Sequence, residues 1–196
     1  NIYMTQKAKP FIKWVGGKTQ LIESIEKALP ENFYKIQNAT YIEPFVGGGA
    51  VLFWILQRFP NITTAVINDI NPDLTLAYKT IKETPDQLVN YLQTIQSEYL
   101  KLNEEKRNAY YLSKREKFNT KSLDQIENTT LFIFLNRTCF NGLYRVNSKG
   151  LFNVPFGRYS NPKICDEQTI YADSKILQKV EILTGDFEMT LKYATQ

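Results

Sequence analysis

The sequence predicts an α/β protein in which a parallel sheet carries a helical insertion. Three observations favour this class. Amphipathic segments alternate with short apolar runs between residues 18 and 69, the apolar period becomes purely helical after Pro72, and glycine clusters stand just before two predicted helices. The order helix, strand, helix, strand is typical of parallel sheets. With 196 residues, 43% of them apolar, the chain can bury a substantial core.

The first four elements alternate in type. Leu21, Ile22 and Ile25 lie at helical spacing, "TYIEPF" is a short apolar run typical of a strand, and "AVLFWILQRF" has the length of a buried helix. We therefore predict, in order, a helix from Lys18 to about Leu29, a strand at 40–45, a helix at 50–59 and a strand at 64–69.

Residues 75–139 are predicted to form the helical insertion. Leu88, Leu92 and Ile95 recur every three or four residues, and 123–139 has the composition of a largely apolar helix.

A basic β-hairpin is predicted at 143–156, after the insertion. Its two short strands flank Asn147-Ser148-Lys149-Gly150, where glycine supplies the positive φ that the turn needs. A last strand at 180–183 leads into a turn at Gly185. The sheet then has three strands at most, which is few for a doubly wound domain.

Composition excludes several kinds of chemistry. The chain has no histidine, and its two cysteines, Cys139 and Cys165, do not make a metal-ligand set, so we expect no metal and no histidine base. No apolar run approaches the roughly 20 residues of a membrane helix, and no signal-peptide pattern opens the chain. A cytoplasmic protein without membrane partners is the expectation. The start at Asn1 and the end at Gln196 suggest trimming at both ends.

Charge is unevenly distributed, although the net value of +4 is only mildly basic. Residues 128–165 contain no acidic residue, where about four would be expected from the 20 in the chain. The interval holds five cations and seven aromatic residues: Arg137, Arg145, Lys149, Arg158, Lys163, Phe132, Phe134, Phe140, Tyr144, Phe152, Phe156 and Tyr159. This composition favours contact with nucleic acid, and the alternative is an exposed basic hairpin that serves solubility.

The first glycine cluster ends like a phosphate-binding loop, in Gly17-Lys18-Thr19. Such a loop needs another glycine five places before Gly17, where this chain has Ile12, so a triphosphate loop is excluded. What remains is Trp14, the pair Gly16-Gly17 and a cation, Lys18, at the start of a helix. These residues alone leave the ligand open.

The second glycine cluster lies between a strand and a helix. The strand runs through Glu43-Pro44-Phe45 into Gly47-Gly48-Gly49, and Asp69 ends the next strand 20 residues after Gly49. Glycines, a helix start and a carboxylate at this spacing indicate a nucleoside site. The alternative is a glycine-rich turn in which Asp69 only caps the helix that begins near Pro72.

Four stretches together resemble the Dam-type (D12 class) DNA adenine-N6 methyltransferases: "FIKWVGGK", "EPFVGGGAV", "INDINPDL" and "NGLYRVNSKGLFNVPFGRY". They stand in that family's order, from Pro10 to about Phe187. The resemblance implies a Rossmann-like methyltransferase sheet, incomplete at its C-terminus, with a helical insertion carrying a DNA-binding β-hairpin. It also implies division into a cofactor domain, 1–74 plus 176–196, and a target-recognition domain, 75–175.

The cofactor implied by this resemblance is S-adenosyl-L-methionine. Trp14 and Lys18 then lie against its methionine end, Asp69 holds its ribose, and Asp186 with Phe187 contacts its adenine. The cofactor set is completed by Gly16, Gly17, Glu43, Phe45, Gly47 and Gly49.

The resemblance further implies double-stranded DNA as partner, with the target adenine flipped out of the duplex. Phe140 and Asn141 match positions that insert into or stabilise the opened duplex, Leu143 and Arg145 match base-reading positions, and Lys13 matches a base contact. The DNA-contacting set is completed by Pro155, Arg158, Tyr159 and the phosphate-contacting candidate Lys163. A GATC target is suggested by the family alone.

The family's Asp-Pro-Pro-Tyr motif is absent, since none of the eight prolines is followed by another. In the family this motif holds and polarises the adenine amine and lies shortly after the Gly-Asp-Phe turn. We therefore expect a fragment of a larger enzyme, inactive alone and without a catalytic residue of its own.

Other classes remain open at this point. One is a non-catalytic DNA-binding module that has lost the motif. Another is a nicotinamide-dependent oxidoreductase, which is disfavoured by Glu43-Pro44-Phe45 before the loop and by Ala50-Val51-Leu52 after it, where the third fingerprint glycine is missing. An RNA methyltransferase is a further alternative. A restriction endonuclease acting on the same site is a further expected partner.

Overall fold

A three-stranded parallel sheet organises the protein in the computed structural model, which describes residues 6–194. Strand β1 spans Ala39–Glu43, β2 spans Ile62–Asp69 and β3 spans Val180–Thr184, in the order β1-β2-β3. The three predicted strands and their parallel arrangement are confirmed. In β2 the run from 65 to 68 is buried because helices cover both faces of the central strand.

Eight α-helices surround the sheet within the described residues. They are α1 (Ile22–Ala28), α2 (Ala50–Arg58), α3 (Pro72–Glu83), α4 (Pro85–Leu100), α5 (Glu104–Asn119), α6 (Gln125–Thr138), α7 (Glu167–Leu177) and α8 (Leu191–Ala194). Short 3-10 turns lie at Lys18–Leu21, Phe33–Lys35, Phe140–Gly142 and Phe187–Thr190. The predicted helices and the helical insertion are confirmed, and α7 and α8 are additions that the sequence did not predict.

Helix α6 joins the insertion to the rest of the fold. It packs against α3, α4 and α5, and it is buried almost throughout, so its sequence is apolar with small polar residues. Thr129 meets Thr80 of α3 through a hydroxyl hydrogen bond of 2.8 Å, which satisfies both groups in the core. One hydrophobic core therefore runs from α2 to α6.

The division into one domain of 1–74 with 176–196 and a second domain of 75–175 stays a prediction. The sheet and the insertion contribute to the same hydrophobic core. Its first range begins with residues 1–5 and its second ends with 195–196, which lie outside the described residues. Among residues 6–194, no helix has both the length and the apolar character needed to cross a bilayer.

The two strands predicted around residues 147–150 do not form. The chain does reverse there, with Gly150 at φ +74°, but the pairing across the turn is limited to a bridge between Val146 and Phe152. Hydrogen bonds from Asn147 N–H to the Leu151 carbonyl and from Asn153 N–H to the Arg145 carbonyl, of 2.9 and 3.1 Å, flank this bridge. Side chains of α5 bind backbone groups that this pairing leaves free. Asn119 accepts from the Phe152 N–H and donates to the Phe152 carbonyl, both at 2.8 Å. Tyr111 and Arg115 donate to the Val154 carbonyl at 2.7 and 3.0 Å. These bonds attach the segment after the turn to α5.

Candidate functional site

The carboxyl ends of the three strands meet at one buried amide, that of Asn68. Its Nδ2 donates to the carbonyls of Pro44, after β1, and Gly185, after β3, at 3.1 and 3.0 Å. The N–H of Val46 donates to the Asn68 carbonyl at 2.9 Å. Asn68 thus holds the turns after β1 and β3 at a fixed separation. The sequence analysis gave it no role, because a single asparagine at a strand end carries no distinguishing signal.

Asp69 reaches into the second glycine cluster. Its Oδ2 accepts from Gly47 N–H at 3.0 Å and its Oδ1 from Asn71 N–H at 3.0 Å. Asn71, not Asp69, caps α3, accepting from Asp73 and Leu74 N–H. The reading of Asp69 as a helix cap is therefore wrong.

The glycine loop itself needs its glycines. Gly47 and Gly49 have φ of +53° and +86°, and a Cβ on Gly49 would lie 2.6 Å from the Tyr78 hydroxyl. That hydroxyl donates to the Gly47 carbonyl at 2.8 Å. The crowding under Gly49 and the left-handed backbone together fix the start of α2.

Both glycine clusters line one cavity of about 180 Å³. Gly16, Gly17 and Lys18 lie on one side of it and the run from Val46 to Ala50 on the other. Trp14 stands between them. Segments about 30 residues apart in the sequence thus converge on the same space.

Trp14 is half-buried and touches both the glycine loop and aromatic residues in and after α6. A Cβ on Gly47 or Gly48 would come within 3.3 and 3.2 Å of its side chain, so the indole lies directly on the glycine loop. Its ring also packs against Tyr144 and Phe132, with centroids 5.1 and 6.1 Å away. The indole is both a core aromatic and a wall of the cavity.

Lys18 is held by a buried carboxylate. Its Nζ lies 3.0 Å from Glu43 Oε1 and also donates to the Phe45 carbonyl, while the Tyr41 hydroxyl donates to Glu43 Oε2 at 2.8 Å. Glu43 is only 6% exposed. Burial raises the pKa of Glu43, and the Lys18 charge and the Tyr41 hydrogen bond oppose that rise. The lysine charge is therefore shared with the protein rather than directed at the cavity alone.

An aromatic pair lies beyond the carboxyl ends of β1 and β3. The rings of Phe45 and Phe187 are 5.7 Å apart, and the side chains are 61% and 43% exposed. Asp186, also exposed, accepts from Glu188 N–H at 3.0 Å. None of these three residues lines the cavity of the two glycine clusters.

The predicted cofactor residues thus occupy two adjoining places. The cavity set is Trp14, Gly16, Gly17, Lys18, Gly47 and Gly49, and the strand-end set is Glu43, Phe45, Asp69, Asp186 and Phe187. Hydrogen bonds from Gly47 to Asp69 and from Lys18 to Glu43 connect the two sets. A cavity of 180 Å³ is smaller than a typical small-molecule pocket of about 300 to 1,000 Å³. A cavity of this volume can enclose only part of a nucleoside-sized molecule.

The predicted DNA residues near position 140 form an exposed tight turn. Phe140 is 49% exposed, and Asn141 and Gly142 both have left-handed φ, +53° and +58°. The Phe140 N–H donates to the carbonyl of the exposed Pro155 at 2.8 Å. Lys13 lies on this turn, since a Cβ on Gly142 would be 2.7 Å from Lys13 Cδ. These residues come together although 127 positions separate Lys13 from Phe140.

The remaining DNA candidates are more widely placed. Leu143 packs against the core, and Arg145 is exposed and bound to Asn153, with Nε 2.8 Å from Asn153 Oδ1. Arg158 lies 3.8 Å from Glu104, and Lys163 pairs with Asp166 at 3.4 Å.

An arginine that the sequence analysis missed holds the loop at 159–160 in place. Arg107 of α5 donates to the carbonyls of Tyr159 and Ser160 at 3.2 and 2.8 Å, and to those of Leu100 and Leu102. A planar guanidinium with five donors can serve this many acceptors at once. The loop around the exposed Tyr159 is therefore tied to the helical insertion.

Comparison with known proteins finds one family and several relatives that this chain resembles. Residues 14–196 match the family described as D12 class N6 adenine-specific DNA methyltransferase. The chain is 50% identical over 189 residues to the Type II methyltransferase M.MjaIII of Methanocaldococcus jannaschii, 95% of this chain and 65% of that protein. It is 39% identical to the Type II methyltransferase M1.LlaDCHI of Lactococcus lactis subsp. cremoris, over 95% of this chain and 61% of that protein.

A third relative carries a different name. The chain is 36% identical to a DNA adenine methylase of Haemophilus influenzae, over 96% of this chain and 60% of that protein. The chain therefore spans less than two thirds of the length of each of these three relatives.

Proposed function

The chain belongs to the D12 class of N6 adenine-specific DNA methyltransferases, and from that premise we propose that it binds S-adenosyl-L-methionine and duplex DNA for methylation of adenine N6. The observation that carries the proposal is the convergence of both glycine clusters and Trp14 on one cavity beside Asp69. The cofactor, when bound, supplies an activated methyl group on a sulfonium.

The residues fit such a cofactor in chemical terms. The indole of Trp14 is a suitable neighbour for a sulfonium, because aromatic faces attract cations. Lys18 supplies a cation for a carboxylate, and its pairing with Glu43 holds the ammonium in place until that carboxylate arrives. Asp69 uses one lone pair on each oxygen for Gly47 and Asn71 N–H, which leaves acceptor capacity for ribose hydroxyls. The exposed Phe45 and Phe187 rings offer stacking surface for a base.

The DNA-directed part of the proposal is supported by the turn at 140–142 and by the basic interval around it. An exposed aromatic ring on a tight, hydrogen-bonded turn suits insertion into an opened duplex. Arg145 uses Nε and one N–H of Nη2 on Asn153, and its other guanidinium N–H groups remain as donors for a base edge. We propose base flipping on this basis together with the family resemblance. A GATC-type target is proposed from the family resemblance alone.

Cofactor binding is tested by calorimetry with S-adenosylhomocysteine. We expect binding to the wild-type chain, no binding of NAD, and an affinity about 10- to 100-fold weaker in Asp69→Ala, because charge-assisted hydrogen bonds to ribose contribute about 1.5 to 3 kcal/mol. Asp124→Ala is the matched control. It removes a carboxylate that caps α6 and does not line the cavity, so it should leave the affinity for S-adenosylhomocysteine unchanged. Binding of NAD in place of S-adenosylhomocysteine would support the oxidoreductase alternative instead.

Methyl transfer is tested separately, because Asp-Pro-Pro-Tyr is absent from these 196 residues. We expect the 196 residues alone to transfer no labelled methyl group to duplex DNA. A protein in which they are followed by a segment carrying the motif should transfer it, while both bind S-adenosylhomocysteine. Incorporation by the 196 residues alone would show that this motif is dispensable here. Failure of the longer protein would favour a non-catalytic DNA-binding module.

Two further proposals concern the cellular setting. A restriction endonuclease that recognises the same site is a proposed partner, supported by the names of two relatives as Type II methyltransferases. A cytoplasmic location is proposed because the relatives named above come from prokaryotes, whose DNA lies in the cytoplasm.

A further inference from the structure

Asn136 of α6 binds the main chain of Lys13 on both sides. Its Oδ1 accepts from Lys13 N–H at 3.0 Å, and its Nδ2 donates to the Lys13 carbonyl at 2.8 Å. The same Nδ2 lies 3.4 Å from the Gly142 carbonyl. Asn136 is only 7% exposed, so these groups have little access to water as a substitute partner. One buried amide therefore joins the segment before the first glycine cluster to the turn at 140–142.

Direct packing reinforces this connection. The stem of Lys13 lies on the Gly142 backbone, where a Cβ would approach Lys13 Cδ to 2.7 Å. The turn is closed by hydrogen bonds from Phe140 N–H to the Pro155 carbonyl at 2.8 Å and from Gly142 N–H to the Cys139 carbonyl at 3.3 Å, so it has little freedom to follow a displaced Lys13. A shift of the Lys13 main chain would therefore have to move or distort the turn.

The cavity end of the connection is Trp14, the next residue along the chain. Its indole lies on Gly47 and Gly48, and its ring packs against Tyr144, two residues beyond Gly142. Trp14 thus touches the glycine loop at 47–49, and its neighbour Lys13 touches the turn at 140–142.

We propose that Asn136 is a positioning residue that couples cofactor binding to duplex binding, and this inference rests on the function proposed above. A ligand in the cavity that fixes Trp14 also fixes Lys13, and through Asn136 it fixes the turn that carries Phe140. The second ligand then meets a site already arranged for it. Because such coupling is reciprocal, DNA must raise cofactor affinity by the same factor as the cofactor raises DNA affinity.

The test measures S-adenosylhomocysteine affinity by calorimetry with and without a saturating short duplex that contains GATC. For the wild-type chain we expect DNA to tighten the affinity about 5- to 150-fold, the usual range of such coupling. In Asn136→Leu the ratio should fall to about 1. The affinity without DNA should change by no more than about threefold, since Asn136 does not line the cavity.

Asn128→Leu is the matched control. Asn128 lies on the same helix, is 8% exposed and donates to Asp73 Oδ1 at 3.2 Å, but it has no hydrogen bond to Lys13 among those of the described residues. It should lose stability as Asn136→Leu does and keep the coupling ratio. If Asn136→Leu does not fold, Gly142→Ala carries the test. That change keeps Asn136, displaces the Lys13 stem and should also lower the ratio.

The outcomes separate the two proposals. A wild-type ratio of 1, an unchanged ratio in the folded Asn136 variant, or equal loss in both asparagine variants would overturn the coupling inference while leaving the proposed function intact. If Asn136→Leu does not fold, an unchanged ratio in Gly142→Ala would overturn it as well. If the wild-type chain binds neither S-adenosylhomocysteine nor duplex, the proposed function fails first and the inference fails with it.

Discussion

Gly49→Ala is expected to destabilise the protein by about 2 to 4 kcal/mol, because it adds overpacking to backbone strain. The new Cβ would stand 2.6 Å from the Tyr78 hydroxyl and 2.9 Å from the Phe53 ring. Both side chains are 0–1% exposed, so neither can move aside into solvent. The left-handed φ of +86° is unfavourable for alanine as well. Denaturant unfolding midpoints at constant m-value would measure the loss.

Gly150→Ala provides the control for strain without crowding. Gly150 has a similar φ of +74° and nothing within 4 Å of an added Cβ. Its substitution should cost only about 1 kcal/mol. Adding Tyr78→Phe to Gly49→Ala should recover part of the loss, since it removes the nearest clashing atom. Equal losses at Gly49 and Gly150 would mean that the crowding under the loop contributes nothing.

Lys18→Met is expected to destabilise the protein by about 1 to 3 kcal/mol at pH 8, because it leaves the buried Glu43 carboxylate without its cation. The loss should shrink towards pH 5. Burial already raises the folded-state pKa of Glu43 above its ordinary value, and without Lys18 that pKa rises further. Stability is then lost as pH rises from the unfolded pKa through the folded one, and it returns when Glu43 is protonated. Unfolding curves at both pH values would check the sign.

The double variant Lys18→Met/Glu43→Gln separates the two roles of the lysine. A neutral pair should restore most of the stability lost in Lys18→Met, yet S-adenosylhomocysteine affinity should stay reduced if Lys18 also binds the ligand carboxylate. Lys117→Met is the control at a more exposed ion pair, with Glu127, and should cost less than about 1 kcal/mol. Full recovery of affinity in the double variant would assign Lys18 a purely structural role.

Periodicity and glycine placement were sufficient to predict the framework. The strands and α2 follow from runs of apolar residues whose burial the sheet requires, so their positions are confirmed to within two or three residues. The position of Asp69 at the end of β2, beside the glycine loop, follows from the same topology.

Long-range polar contacts could not be predicted in this way. The segment after the turn at 147–150 is held by Asn119, Tyr111 and Arg115 of α5, whose identities carry no sign of partners some 30 to 40 residues away. The same holds for Arg107 and Asn136, which are ordinary helix residues until the fold brings backbone carbonyls to them. Local propensity describes neighbours along the chain, whereas these bonds depend on the tertiary arrangement.

The location of Trp14 gives the molecule an optical reporter of its own. The chain has two tryptophans, and Trp54 packs edge-on against Phe59 at 6.0 Å, in a setting separate from the cavity lining. Emission from the Trp14 indole should therefore respond to whatever fills the cavity, with Trp54 as a constant background. Occupancy of this space can be followed by fluorescence without attaching a dye.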